Sequence, residues 1–380
     1  MDTLSSKVGG STLYLDRVRK IRRLMDEENI DIVMVTSEPN MLYFSGYSAI
    51  SLERLITLLI SRDEDKVSLI VPRLEEKRVE ENCKLRDFEL ISYSDSENPI
   101  DILENIFSSK KQVRVGVEET IQFKYVYPLM SRLENINYSL VDGLLYSLRI
   151  VKDNEEAEIL KKAAEINNRV LLEAIKSIRE GISEKKLMMY IRNYALEIGA
   201  DEVPFALVQS GANSALPHQE PTDRVILKGD TVVLDIGVRY QGYYSDLTRT
   251  VVCGSPSSKQ IDIFNIVLNA QQNALNTVKE DVKAEDVDLA ARRTIESSGY
   301  GEYFIHRTGH GIGLEVHEPP FIKTGNTGLL KTGMVFTVEP GIYLPGQFGV
   351  RIEDNIIVTR EGYVNLAKLP KSMHIEDYEL

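Results

Sequence analysis

Between residues 14 and 30 the apolar side chains Leu15, Val18, Ile21 and Met25 return every three to four positions among Arg, Lys and Glu, the stripe of an amphipathic helix. The period then changes. Residues 31–36 (DIVMVT) are short, β-branched and closed by Ser-Glu-Pro-Asn, which predicts a strand stopped by turn residues. Apolar runs at 55–61 and 66–72 flank an acidic corner, Asp63-Glu64-Asp65, the pattern of a hairpin. Further strands are predicted at 88–93, 113–117 and 136–141, with helical stretches near 73–83, 99–109 and 123–134 between them. Residues 1–150 therefore read as an α/β domain.

At Val151-Lys152-Asp153-Asn154-Glu155-Glu156 the chain turns charged, and about thirty helical residues follow, with Ile159, Ala163, Ile166, Val170, Ala174 and Ile178 on one face. Gly181 ends this helix, and Ser183 is the N-cap of a second one that runs to about Ile198 and is closed by Gly199. Residues 231–240 and 243–253 are β-branched runs around Gln241-Gly242. Helices are predicted over roughly 256–280 and 284–298, and residues 334–359 are rich in strand. Residues 151–380 thus form a second domain of α+β type, with antiparallel hairpins between helices.

A chain of 380 residues suits two domains, and 43% hydrophobic with 27% charged residues is ordinary globular composition. The formal net charge of −13 leaves no basic footprint for nucleic acid or an anionic membrane. Cys83 and Cys253 make neither a disulfide framework nor a metal-binding pair, as expected of a reducing cytoplasm. The N-terminus shows no export signal, and the longest strongly apolar stretch, 55–60, is far too short to span a bilayer.

Chemistry concentrates in the second domain, which holds His218, His306, His310 and His317. If Gln241-Gly242 is a two-residue hairpin loop, Asp235 faces Thr248, and Asp246 becomes a diagonal neighbour of Asp235 on the same side of the sheet. Two such carboxylates between apolar flanks repel each other and require a cation, unless one of them faces solvent or pairs with Arg239 or Arg249. The segments around Glu339 and Glu353 flank a loop with Pro345 and Gly346, so these acids also meet across a hairpin. His310 stands among three glycines in Thr308-Gly309-His310-Gly311-Ile312-Gly313, which admits close backbone approach. One imidazole and four carboxylates exceed what a tetrahedral structural zinc takes and suit a pair of divalent ions. A phosphate-cradling loop does not fit, because the Walker lysine and the Rossmann spacing are both missing.

The settings L-D-I-G, S-D-L-T-R-T, H-R-T-G-H-G-I-G-L-E-V-H-E, V-E-P-G-I-Y and G-V-R-I-E-D resemble those of the pita-bread dinuclear metallopeptidases, in particular their proline-specific branch of Xaa-Pro dipeptidases and aminopeptidases P. The resemblance covers essentially the whole second domain and, more loosely, a creatinase-like first domain. It implies an α+β protein in which residues 1–150 serve dimerisation and cleft closure and residues 151–380 form the pita-bread catalytic domain. By resemblance, Asp235 chelates one ion, Asp246 and Glu353 bridge two, and His310 with Glu339 completes the second. A water or hydroxide between the ions is then the nucleophile, and Glu339 is the general acid/base.

The resemblance also places His218 and His317 beside the scissile region. Arg351 shares a strand face with Glu353 and binds a carboxylate, either the substrate's or a ligand's. His306 and Tyr343 either line the substrate cleft or simply pack. The implied activity is hydrolysis of the Xaa-Pro imide bond in dipeptides or short peptides, with two Mn, Co, Zn or Fe ions in each subunit of a homodimer. One departure bears on the substrate: where similar dipeptidases carry an arginine four residues after the second histidine, this chain has Phe321. Aminopeptidase P is therefore the alternative. Two other relatives are further off, the creatinases and the non-catalytic peptide-binding paralogues, since both lose the metal ligands.

Overall fold

In the computed structural model, which describes residues 5–49, 52–63, 67–108 and 111–378 and only the backbone of residues 5–11, the chain divides into two compact units, Met1–Arg149 and Ile150–Leu380. In the first unit, α1 (Ser5–Glu27) turns the 3.6-residue stripe of Val18, Ile21 and Met25 into buried core. The strand β1 (Ile32–Val35) is buried along its whole length. Then come α2 (Glu38–Ser45), β2 (Thr57–Ser61), β3 (Val67–Pro72), α3 (Glu76–Asn82), β4 (Phe88–Tyr93), α4 (Pro99–Ser108), β5 (Val113–Val117), α5 (Phe123–Arg132), β6 (Ile136–Leu140) and α6 (Asp142–Arg149). The six strands form one sheet in the order β4-β3-β2-β1-β5-β6. Strands β2 and β3 pair antiparallel, and residues 64–66 of their acidic corner lie outside the described residues. The parallel pairs β3–β4 and β5–β6 are joined through α3 and α5, since a parallel pair needs a crossover.

Two helices of this unit were absent from the sequence expectation. The Ser-Glu-Pro-Asn stretch does not merely end a strand: Ser37 caps α2 and proline occupies its first turn, where a helix needs no N–H. The buried Glu118 carboxylate accepts hydrogen bonds from Ser37 N (2.9 Å) and Asn40 Nδ2 (2.7 Å), which pins the strand–helix junction. The second is α6, which is short and carries no cap that the sequence pattern advertises.

The second unit opens on α7 (Asn154–Lys176), whose N-terminus is a capping box of Asp153 and Glu156. Ser183 caps α8 (Glu184–Glu197), and Gly181 and Gly199 on either side adopt positive φ. Then follow β7 (Glu202–Ser210), β8 (Thr231–Tyr240), β9 (Tyr243–Val252), α9 (Ser258–Thr277) and α10 (Ala284–Ser297). The chain ends on β10 (Gly309–Gly311), β11 (Glu318–Ile322), β12 (Val335–Val338), β13 (Gly341–Leu344), β14 (Phe348–Arg351), β15 (Asp354–Val358) and β16 (Tyr363–Asn365). These strands make a sheet β7-β8-β9, a sheet β11-β10-β12-β15-β16 and the hairpin β13-β14. The first sheet packs on α7 and α8, the second on α9 and α10. Because side chains alternate along a strand, Leu234, Ile236 and Val238 enter the helix-side core while Asp235 faces the other way; Leu247 and Val251 do the same on β9 and leave Asp246 and Thr248 opposite.

Candidate metal centre

The Gln241-Gly242 turn has positive φ at both residues, 47° and 86°, as a two-residue hairpin loop requires. Its register pairs Asp235 with Thr248 and Gly237 with Asp246, so the two acids are diagonal neighbours. Neither is neutralised by the nearby arginines weighed from sequence: Arg239 pairs with Glu202 at 3.3 Å and Arg249 with the buried Asp354 at 2.9 Å.

Glu339 and Glu353 depart from a plain hairpin. Val338 pairs with Asp354 and Gly341 with Arg351, one common register in which the glutamates would face each other, but between these pairs the ladder is open. There Glu339 N donates to Thr308 O (2.8 Å) and Glu353 N to Thr248 O (3.1 Å). The hairpin thus parts where the acids lie, and each strand turns to a different neighbour. Glu353 bridges to β9, which carries it to the edge of the Asp235–Asp246 pair.

His310 sits on the three-residue strand β10, with a break in register between His310 and Gly311. A Cβ on Gly309 would lie 1.8 Å from Thr337 O, and one on Gly311 2.2 Å from Pro319 O. The glycines therefore admit backbone that any side chain would push away. Gly309→Ala is expected to cost about 1–3 kcal/mol or more, because the obstructing atom is backbone and cannot swing aside. Chemical denaturation should show this, together with displacement of His310; an alanine variant of wild-type stability would contradict the packing.

Asp246, His310 and Glu353 each offer a ligand atom, and these atoms lie within 4.8 Å of one another. His310 Nε2 is 3.2 Å from Glu339 Oε1 and 3.9 Å from Asp246 Oδ2. Asp235 Oδ1, Asp246 Oδ1 and Glu353 Oε1 are buried without a hydrogen-bond partner. Orphaned carboxylate oxygens around one imidazole are what a divalent cation would satisfy, so the residues present fit a metal. The charges are strained without one. Burial, and then the neighbouring acids, push the carboxyl groups of Asp246 and Glu353 well above the ordinary range. Burial acts on Glu339 in the same direction, but the hydrogen bond from His310 and the charges of His310, His306 and Arg351 win and bring it to about 2.

All ten candidate site residues line one cavity of about 650 Å³. Arg351 is buried, and its guanidinium donates to Asp235 Oδ2 (2.6 Å), Tyr343 OH (2.9 Å) and Thr248 Oγ1 (3.2 Å). Of the two carboxylates weighed for it, Arg351 thus meets the one within the acid cluster. Tyr343 is buried, which raises its hydroxyl to about 12, and it joins Arg351 to His306 Nε2 at 2.9 Å. His306 and Tyr343 are therefore wall residues held by one chain of hydrogen bonds. His317 stacks edge-on against His310 at 4.2 Å between centroids. His317 is exposed at the cavity, yet partial enclosure of its ring and then the neighbouring His310 and Arg307 pull it down to about 4. His218 is exposed at the cavity.

Several supporting residues escaped sequence reasoning. Thr248 Oγ1 donates to Glu353 Oε2 (2.7 Å) and Thr337 Oγ1 to Glu339 Oε1 (3.0 Å), which orients both acids. Asn355 Oδ1 accepts from Asp246 N at 2.9 Å. Asp288, fully buried, accepts from Thr308 Oγ1 and Thr324 Oγ1, each at 2.7 Å, and anchors the segment before His310. Arg307 lines the cavity next to His306. Thr248 and Thr337 follow a readable rule, since each is two residues from an acid or directly opposite one on a strand; Asp288 and Arg307 give no comparable signal.

Residues 158–360 match the model of metallopeptidase family M24, and residues 17–151 match that of the creatinase/prolidase N-terminal domain. A Xaa-Pro dipeptidase of Pyrococcus furiosus is 37% identical over 94% of this chain and 99% of its own. A crystal structure of prolidase from Thermococcus sibiricus superposes with a TM-score of 0.90 at 38% identity, covering 95% of this chain and 98% of that one. An X-Pro aminopeptidase from Thermotoga maritima superposes with a TM-score of 0.82 at 35% identity, covering 91% and 97%.

Proposed function

The chain belongs to metallopeptidase family M24 and is a hydrolase that binds divalent metal, and from that premise we propose that it is a Xaa-Pro dipeptidase. The observation that carries the proposal is the convergence of Asp235, Asp246, His310, Glu339 and Glu353 on one cavity wall, with three of their oxygens unsatisfied. These five residues hold two divalent ions, drawn from Mn, Co, Zn and Fe, the metals that oxygen-rich sites with one imidazole accept. When bound, the ions supply Lewis acidity that acidifies a water and steadies negative charge on the carbonyl oxygen. Glu339 takes the proton of the attacking water and delivers it to the proline nitrogen, a secondary amine that must be protonated to leave. His317 and His218, both at the cavity, contact the substrate around the scissile carbonyl. With its pKa near 4, His317 is neutral at pH 7 and acts as a hydrogen-bonding group rather than a charge. Arg351 and Tyr343 hold Asp235 in place. In this reading the protein works as a cytoplasmic homodimer.

A second reading, release of an N-terminal residue from longer peptides, is favoured by the phenylalanine at position 321 and by the likeness to the Thermotoga maritima aminopeptidase. One experiment separates the two. Chelated protein is reloaded with Mn, Co, Zn or Fe and given Ala-Pro or Ala-Pro-Ala. Metal-dependent cleavage of Ala-Pro is expected; cleavage of the tripeptide alone would overturn the dipeptidase reading.

A further inference from the structure

Between Gly313 and Glu318 the chain makes a series of bends that carries Val316 and His317, both of which line the cavity. The His317 ring is exposed there, so its position follows mainly from where its backbone is held. The next residue does the holding. Glu318 stands opposite Gly311 on β10, and its Oε1 accepts from Lys152 Nζ at 2.7 Å, with the lysine and glutamate side chains 1% and 2% exposed. Its Oε2 accepts from Glu315 N at 3.4 Å. One carboxylate therefore closes the bend on itself and fastens it to the segment that leads into α7. Lys152 is fixed in turn, since its N donates to Gly333 O (2.9 Å) and Val151 bridges to Met334. At the other end of the bend Gly313 O accepts from Tyr244 N of β9 at 2.8 Å. A Cβ on Gly313 would lie 2.6 Å from Glu318 Oε1 and 3.1 Å from Lys152 Cε. The third glycine of the His310 segment thus makes room for an ion pair.

A pair so deeply buried is a poor source of stability, because desolvation of both charges offsets most of their attraction and apolar side chains of similar volume often serve as well. What it supplies is direction: a charged hydrogen bond is satisfied in one arrangement of the chain, whereas apolar contacts tolerate several. We propose that Lys152 and Glu318 are positioning residues, a buried ion pair that holds His317 against the substrate. Neither is among the described residues lining the cavity, so the pair acts through its neighbour in sequence and not on the peptide itself. The inference rests on the substrate contact given to His317 above and deepens it.

Replacing one partner alone strands a buried charge and destabilises the fold whatever the role of the pair, so the informative variant carries Lys152→Met and Glu318→Leu together. Its denaturation midpoint and metal content should stay near those of wild type. Its kcat/KM for Ala-Pro should fall by about tenfold to a hundredfold, the cost of moving a group at a reacting centre by about an ångström. In a His317→Ala background the same two replacements should cost about twofold or less, because the group they position is gone. Wild-type kcat/KM in the double variant, or an equal loss with and without His317, would overturn the proposal. So would a double variant that denatures far below wild type, since the pair would then serve stability. His317→Ala with wild-type kcat/KM would instead sink the substrate contact on which the inference stands. The series is run on Ala-Pro and Ala-Pro-Ala: wild type that cleaves the tripeptide alone ends the dipeptidase reading, and the tripeptide rates then decide for or against the pair.

Discussion

Asparagine at position 246 is expected to leave a folded protein that turns over Ala-Pro at least about a thousandfold more slowly, because several kcal/mol of metal-derived stabilisation is lost with the ligand. The metal content should fall in the same preparation. Asp246 is the residue on which the centre turns: it is buried, one of its oxygens has no partner, and its backbone is fixed by Asn355. The same substitution should stabilise the metal-free protein at neutral pH. Asp246 and Glu353 have folded pKa values raised above their unfolded ones, so their contribution is fully present below the ordinary carboxylate range, about pH 4, and is lost as pH rises through the raised values. Glu339, drawn down to about 2, acts in a lower window and in the opposite sense: its contribution is lost only as pH falls towards 2. Thermal melts of chelated protein between pH 5 and 8 should therefore show wild type weakening with rising pH and Asp246→Asn weakening less, while added divalent metal should stabilise wild type and leave the variant nearly unchanged. Identical pH profiles for the two chelated proteins, or full turnover by the variant, would mean that these acids do not share an ion.

The second large effect is expected from Arg351→Met. The guanidinium is the buried cation that faces Asp235, and breaking a buried pair from one side costs about 3–5 kcal/mol, since the other charge stays behind without its partner. Tyr343 and Thr248 lose a donor in the same change, and the His306 chain loses its first link. Metal affinity should drop by about tenfold to a hundredfold, the usual consequence of removing a group that orients a ligand. Arg351→Lys should restore part of the stability and less of the affinity, because an ammonium cannot span three acceptors as a planar fork does. Denaturation melts and metal titration of both variants check this; a methionine variant with wild-type affinity would show that Asp235 needs no orientation from Arg351.

What could be read from the amino acids alone followed the range of each interaction. The helices α7, α8, α9 and α10 carry caps or bounding glycines and a long apolar period, all local signals, and they form close to where those signals place them. The Asp235–Asp246 arrangement was equally legible, because a two-residue turn fixes register and the pleat then fixes the face. By contrast β7 and the short β10 and β11 have too few residues or too little alternation to announce themselves, and their neighbours in the sheets make them strands. Phe321 drew notice as the absence of an arginine, whereas its contact with Arg307 became visible only in three dimensions.

The candidate ligand set was thus written in residue type and order: four acids, one imidazole and the glycines around it are local facts of composition and spacing. The tertiary structure alone decided how those groups meet. It opened the Glu339–Glu353 hairpin so that Glu353 reaches β9, brought Arg351 onto Asp235, and set Arg307 on an aromatic ring fourteen positions away. The reason is that a strand's register follows from neighbours in sequence, whereas a buried charge takes its partner from whatever distant segment packing brings within hydrogen-bond reach, and no local pattern encodes that choice.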